Sequence, residues 1–131
     1  MTEAQAALER HARTINDRDL AAYRATLNYP FTYQNYNGVA LTITSADEIG
    51  TIAQPPWEII LQTDPDWLRT EFDVIEEVAR SASSAVYKVD FRRLDRSGND
   101  DGSYRAIWIV TCHQGHWGVQ FRHNLGRIAD A

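Results

Sequence analysis

The chain lacks a second cysteine: Cys112 stands alone among 131 residues, so no disulfide can form within the molecule. This excludes the small extracellular scaffolds that depend on disulfides. Long apolar runs are missing too, since the run at 106–110 is far shorter than the roughly 20 residues of a membrane-spanning helix. The amino terminus lacks the basic and then apolar pattern of a secretory signal. We therefore expect a cytoplasmic protein that does not bind membranes.

Positive charge is scarce as well. Lysine and arginine contribute 13 residues against 18 aspartate and glutamate residues, so the net charge is -5 and no basic stripe is present. Nucleic acids and anionic membranes are therefore not expected as partners. Glycine-rich phosphate loops and dinucleotide fingerprints are absent, and no cofactor is expected.

Aromatic residues, by contrast, are abundant, with four tryptophans, six tyrosines and four phenylalanines. Such residues line small-molecule pockets, but they also build cores and dimer interfaces. The length of the chain suits one domain, residues 1–131, with one hydrophobic core.

Hydrophobic periodicity predicts two helices at the start of the chain. Apolar residues spaced by three and four positions from Ala4 to Ile15 form one stripe. Asp19 is placed to cap a second, shorter helix, which Pro30 is expected to end.

A third helix is predicted from the capping-box pair Ser45 and Glu48. Its inward residues are expected to be Ile49, Ile52 and Ala53, and the prolines at positions 55 and 56 are expected to stop it. The stretch 57–67 is compatible either with further helix or with a loop.

Alternating side chains predict a hairpin and then long strands. The hairpin joins 31–37 to 39–44 through Asn37 and Gly38. Turn-rich segments at 96–102 and 113–116 separate the last three strands. The long strands are predicted at 68–79, 85–94, 104–113 and 117–125. Helices first and an antiparallel meander afterwards indicate an α+β domain whose sheet wraps over the helices.

Two strands carry polar side chains in alternating rows. Tyr33 and Asn35 share one row of the first strand, and Lys88 and Asp90 share a row of a later strand. The other row of that later strand is apolar and consists of Tyr87, Val89 and Phe91. If the polar rows line a cavity, four hydrogen-bonding groups converge there; if they face water, they are ordinary surface residues.

The last strand and the first helix add further candidates. Arg122 and Asn124 share a polar row, where Arg122 is either a fixed charge for Asp90 or an anionic ligand, or an exposed residue at a sheet edge. His11 lies on the apolar stripe of the first helix, either as a proton shuttle or as a satisfied core residue. The spacing of His113 and His116 across a turn is a weak metal signal, and no metal is expected.

The order helix, helix, strand, strand, helix and then long strands resembles the nuclear transport factor 2-like superfamily, also called the SnoaL-like or cystatin-like α+β cone. Residues 15–20 resemble its link between the first two helices, and residues 115–122 resemble its last hairpin. The resemblance implies three N-terminal helices packed in a strongly curved, mostly antiparallel sheet that forms a conical pocket. It also implies that the polar rows turn inward. The apolar row would then pack against a second copy, so we expect a homodimer.

Two enzyme families of this superfamily can be compared residue by residue. The segment Tyr33 to Asn35 is similar to the water-holding Tyr-x-Asn of limonene-type epoxide hydrolases, and the segment Lys88 to Asp90 is similar to their Arg-x-Asp. The position of their second catalytic aspartate aligns near Arg122, and this chain has no acidic residue between Asp101 and Asp130. Because the reaction needs both a general acid and a general base, we expect little epoxide hydrolysis. In ketosteroid isomerases the catalytic residues are a tyrosine and two aspartates, and their positions align with His11, Asn35 and a site near Ile109. Because none of the three residue types is retained, that activity is not expected.

These patterns lead to an interpretation with two alternatives. The chain is interpreted as a small-molecule-binding domain that acts as a cofactor-independent lyase, isomerase or hydrolase on an apolar substrate, with Asp90 as acid or base. The alternative is a non-catalytic ligand-binding or dimerisation module. The remaining roles are charge control by Lys88, positioning by Tyr33 and Asn35, and substrate binding by Arg122, His11, Trp108 and Asn124.

Overall fold

A six-stranded curved sheet and three helices make up the fold in a computed structural model, which describes residues 1–131. The sheet order is β2-β1-β6-β5-β4-β3, with β1 parallel to β6 and all other neighbours antiparallel. The helices are Glu3–Asp17 (α1), Leu20–Ala25 (α2) and Pro56–Thr63 (α3), and the strands are Leu27–Asn35 (β1), Ala40–Ile43 (β2), Trp67–Arg80 (β3), Ser84–Asp95 (β4), Ser103–His113 (β5) and His116–Arg127 (β6). The predicted α+β class and its curved, mostly antiparallel sheet are confirmed.

The first helix forms as its apolar spacing predicts. Thr2 caps it, since the Thr2 hydroxyl accepts from the backbone N–H of Gln5 at 3.1 Å, and the chain leaves the helix at Arg18 in a left-handed conformation. One face, which includes Ala4, Ala7 and Leu8, is buried against β5 and β6. None of the three helices is long and apolar enough to cross a membrane.

Two of the predicted helix boundaries are wrong. Asp19 caps α2 through a 3.1 Å hydrogen bond from the backbone N–H of Ala22, but α2 already ends at Ala25, and Pro30 lies inside β1. The capping-box pair does not open a helix, because the Glu48 carboxylate accepts from Thr44 and only a single 3₁₀ turn forms at Ala46–Glu48.

The third helix instead begins where the sequence was expected to stop one. Pro55 is its N-cap and Pro56 its first residue, a position that suits proline because its missing N–H would have no partner there. Two of the residues predicted to face inward from a helix beginning at the Ser45 and Glu48 pair differ in burial: Ile49 is buried, whereas Ile52 is 84% exposed. The stretch 57–67 therefore supplies most of α3.

The two faces of β4 are reversed relative to the prediction. Tyr87, Val89 and Phe91 are buried in the core that α1 covers, and they do not form an outer surface. The row of Lys88 and Asp90 therefore lies on the other face of the sheet. Period-two alternation separates the rows of a strand but does not tell which row a helix will cover.

Candidate ligand-binding site

A cavity of about 510 Å³ opens between the inner face of the sheet and the helices. Its lining is mainly apolar and aromatic, and it includes Tyr23, Phe31, Phe91 and Trp108. These side chains come from α2 and from three strands of the sheet, so the curvature of the sheet creates the space. No group of three or more His, Cys, Asp or Glu side chains is placed to hold a metal ion.

Arg122 lies on the inner face of β6 and contributes a positive charge to the cavity. Its side chain is buried, with the residue only 8% exposed, and its Nη2 donates to the Tyr23 hydroxyl at 2.9 Å. Its Nε is inaccessible to solvent and has no hydrogen-bond partner. None of the seven ion pairs in the structure includes Arg122. The guanidinium carbon lies 5.3–5.8 Å from the ring centroids of Tyr23, Phe31, Tyr33 and Trp108.

The groups that surround Arg122 are hydrogen-bond donors. Burial raises the pKa of Tyr23, which outweighs the opposite effect of Arg122, so its phenol stays protonated. Because Tyr23 accepts from Arg122, its own proton is free to donate. The Asn124 Oδ1 accepts from the backbone N–H of Gly126 at 2.9 Å, which fixes the amide orientation and leaves Nδ2 to donate. We call Arg122, Tyr23 and Asn124 the cavity floor.

His11 lies behind the floor and does not line the cavity. The Thr26 hydroxyl donates to the Tyr23 carbonyl at 2.7 Å, so it must accept from His11 Nδ1 at 2.8 Å. Burial, reinforced by Arg122, lowers the pKa of His11 well below its usual value, and the ring is therefore neutral. Its Nε2 is then an unprotonated nitrogen with no partner. His11 is a core residue, but only one of its two ring nitrogens is hydrogen-bonded.

The open end of the cavity is acidic. Asp64 follows α3, Asp95 is the last residue of β4, and Asp100 and Asp101 belong to the segment between β4 and β5; we call these four residues the acidic rim. Arg93 also lines this cavity, and its guanidinium lies over the rings of Phe91 and Tyr104. The Tyr104 hydroxyl donates to Asp101 at 2.7 Å, and burial is the main cause that raises the Tyr104 pKa to about 12.

The structure brings together only part of the predicted site. Tyr33, Asn35, Trp108, Arg122 and Asn124 all line the cavity. Their roles as substrate-positioning or substrate-binding residues stay predictions. Tyr23, Arg93 and the acidic rim were not predicted from the sequence. Arg93 and Asp95 share a strand row with Phe91. Had this row been predicted to face the helices, the two residues would have been recognised as candidates for the cavity lining.

Asp90 and Lys88 lie away from the cavity, and the predicted convergence of these residues with Tyr33 and Asn35 is wrong. The Asp90 carboxylate accepts from Arg105 Nε at 2.8 Å and from Nη2 at 3.0 Å, and these bonds are the main cause that lowers its pKa. Lys88 pairs with Glu76 at 2.9 Å. Both residues are engaged in ion pairs on the outer face.

No protein-family model matches this sequence, and no curated protein matches it. Among similar solved structures, a protein of unknown function with a cystatin-like fold from Nostoc punctiforme is 17% identical, with a TM-score of 0.69 over 93% of this chain and 86% of that one. An NTF2-like protein of unknown function from Shewanella oneidensis is 17% identical, with a TM-score of 0.63 over 92% of this chain and 93% of that one. A ketosteroid isomerase-like protein from Erwinia carotovora is 16% identical, with a TM-score of 0.64 over 92% and 91% of the two chains.

Identities this low define a fold and leave the reaction open. The similarity to limonene-type epoxide hydrolases stays a prediction, although Asp90, its key residue, lies outside the cavity. The arrangement of the helices over the curved sheet, together with these structures, shows that the chain has the nuclear transport factor 2-like, cystatin-like α+β fold.

Proposed function

We propose that the chain is a small-molecule-binding domain that takes a mainly apolar, aromatic ligand into the cavity between its sheet and its helices. The observation that carries this proposal is the cavity itself, about 510 Å³ in volume, with apolar walls and a polar floor. Volumes of roughly 300–1,000 Å³ with a few convergent polar groups are typical of small-molecule sites. Aromatic side chains that enclose such a volume are suited to flat ligands.

The arrangement of the rings supports an aromatic ligand. Trp108 packs edge to face against Phe72, with ring centroids 5.6 Å apart. Phe91 stacks on Tyr104 with a centroid distance of 5.5 Å and an interplanar angle of 13°. These contacts fix the orientation of the rings before a ligand binds. A ligand therefore enters a largely pre-formed site and loses little free energy to ordering of the walls.

Ligand binding can be tested by filling the cavity. Ala106 is buried and lines the cavity, so Ala106→Leu removes part of its volume. We expect aromatic compounds that raise the melting temperature of the wild-type protein, or quench its tryptophan fluorescence, to lose that effect in the variant. Ala79→Leu adds the same volume on the exposed part of β3 and is the control. Retention of binding in Ala106→Leu, or no binding by any compound of a broad aromatic panel, would contradict the proposal.

Catalysis on a carbonyl compound is a second candidate, favoured by the pairing of Tyr23 and Arg122. Two donors aimed at one oxygen stabilise an enolate or another oxyanion as it forms. The assay is exchange of the α-protons of 2-tetralone with deuterated solvent, followed by NMR for the wild type and for Arg122→Gln. Exchange that is faster than in buffer and that disappears in the variant supports catalysis. Exchange no faster than in buffer would contradict catalysis and leave ligand binding as the proposed function.

A further inference from the structure

We infer that the ligand of this cavity is a monoanion whose oxyanion binds Arg122, as the carboxylate of an aromatic acid does. This inference rests on the proposed function, because it specifies the chemical class of ligand for the same cavity. It is drawn from the charges and hydrogen bonds of the floor and from the contrast with the acidic rim.

The charge of Arg122 has no counter-ion in the protein. An arginine side chain stays protonated, so burial does not neutralise it, and buried charges are ordinarily paired. The other arginines that form ion pairs do so at the surface, with side chains that are 34–51% exposed. Arg122 is buried, yet its only hydrogen bond to the protein goes to a neutral phenol.

Nothing else on the floor supplies negative charge. Tyr23 stays protonated because it is buried, and the amide orientation of Asn124 presents a donor. His11 is neutral and lies behind the floor. Two further donors, Tyr23 and Asn124, therefore line the floor beside the one positive charge, and a ligand oxyanion is the partner that satisfies all three groups.

The aromatic rings around Arg122 compensate its charge only in part. The face of a ring attracts a cation, but it offers no lone pair to the N–H groups in the plane of the guanidinium. The Nε of Arg122 shows this, since it is enclosed among the four rings and has no hydrogen-bond partner. The rings fix the guanidinium in place, and the donors that reach the cavity remain for a ligand.

The acidic rim limits the ligand to one negative charge. Four aspartates line the same cavity as Arg122, and Arg93 is the only other basic residue in that lining. A second anionic group at the open end of the cavity would face these carboxylates. Like charges at short distance oppose binding, so dianions are expected to bind more weakly than monoanions.

The test uses matched probes and matched variants. Calorimetry measures the affinity of the wild-type protein for 2-naphthoate, for 2-naphthamide and for 2,6-naphthalenedicarboxylate. We expect naphthoate to bind at least about tenfold more tightly than the uncharged amide, as charge-assisted hydrogen bonds are roughly twice as strong as neutral ones. The dicarboxylate is expected to bind more weakly than naphthoate. Arg122→Gln is expected to abolish the preference for naphthoate over the amide, and Arg122→Lys to retain part of it.

Arg105→Gln is the control variant, since it makes the same substitution on the outer face of the sheet and is expected to bind like the wild type. Equal affinity of the wild type for naphthoate and naphthamide would overturn the inference and leave the proposed function standing. A preference that persists in Arg122→Gln would also overturn it. If Arg122→Gln does not fold, the ratio measured with the wild type decides. Failure of these probes while other aromatic compounds bind refutes the inference alone, and failure of every compound refutes the proposed function as well.

Discussion

Arg122 on β6 donates to the hydroxyl of Tyr23 on α2 across 2.9 Å, in a bond that joins the sheet to the helical layer at the floor of the cavity. The bond is fully buried and connects residues that are far apart in the sequence. It orients the guanidinium and leaves the tyrosine proton free. The stability of the fold and the chemistry of the cavity therefore depend on the same pair.

Tyr23→Phe tests the contribution of this pair to stability. The substitution leaves the ring in place but removes the acceptor, so a buried, charged donor loses its one protein partner. We expect the free energy of unfolding to fall by about 1–3 kcal/mol, measured by urea denaturation. Tyr36→Phe is the control, because Tyr36 is 61% exposed and its hydroxyl makes no hydrogen bond in the structure. Equal effects of the two substitutions would show that the Arg122 to Tyr23 bond contributes nothing measurable.

His11 makes stability depend on pH. Its pKa is lowered in the folded protein, mainly by burial, so the unfolded chain binds a proton that the folded chain does not. The free energy of unfolding is therefore highest, as far as His11 is concerned, above the pKa of about 6.5 in the unfolded chain, and it decreases as the pH falls below that value. Between about pH 7.5 and about pH 5.5 we expect a loss of about 1.4 kcal/mol in the free energy of unfolding.

His11→Asn removes the titrating ring but keeps an N–H that can reach Thr26, so this variant is expected to lose the decrease with pH. His113→Asn, at an exposed position where β5 ends, is the matched control and should keep it. Urea unfolding at the two pH values measures both. An unchanged pH profile in His11→Asn would assign the dependence to another group.

The sequence allowed the fold class to be predicted because its periodic signals are local. The stripe from Ala4 to Ile15 and the alternation of the long strands specify helix and strand without knowledge of their partners. The third helix was predicted at the wrong place because Ser45 and Glu48 match a capping box. In the structure Gly50 adopts a left-handed conformation that a helix cannot continue through, and the helix begins at Pro56. Local motifs compete, and their outcome depends on tertiary contacts.

The candidate site was only half predictable, for a different reason. Arg122 and Asn124 were placed in one row, but whether that row faces the helices depends on which surface α1 covers. On β4 the same question was answered wrongly, since the buried row contains Phe91 and the outer row contains Asp90. Tyr23 gave no signal of its own, because on a short helix it was indistinguishable from a core aromatic residue.

Epoxide hydrolysis provides a test of this reversed orientation. Asp90 is bound by Arg105 on the outer face, so it cannot activate water for a substrate in the cavity. We expect no turnover of limonene oxide, styrene oxide or cyclohexene oxide. Asp90→Asn is expected to change the affinity for a cavity ligand by less than about twofold. It is expected to lower the free energy of unfolding by about 1–3 kcal/mol, because the Asp90 side chain is only 12% exposed and accepts two hydrogen bonds from Arg105. Robust turnover that Asp90→Asn abolishes would contradict both the orientation and this prediction.

A homodimer formed through the outer face of the sheet stays a prediction, and the structure changes which residues can form it. The apolar row first expected there, Tyr87, Val89 and Phe91, is buried in the core. Phe121 and Leu125 of β6 lie on the outer face instead, where Leu125 is 48% exposed. By alternation along β5, Ile107 and Ile109 lie beside them and extend the apolar surface.

Sedimentation at micromolar concentration is expected to show a species of twice the monomer mass. Leu125→Glu is expected to convert this dimer to monomer, because a carboxylate would be buried in the interface without a partner. Leu68→Glu, at an exposed leucine on β3, is the matched control and should leave the dimer intact. A wild-type monomer, or a dimer that Leu125→Glu does not weaken, would rule out this interface.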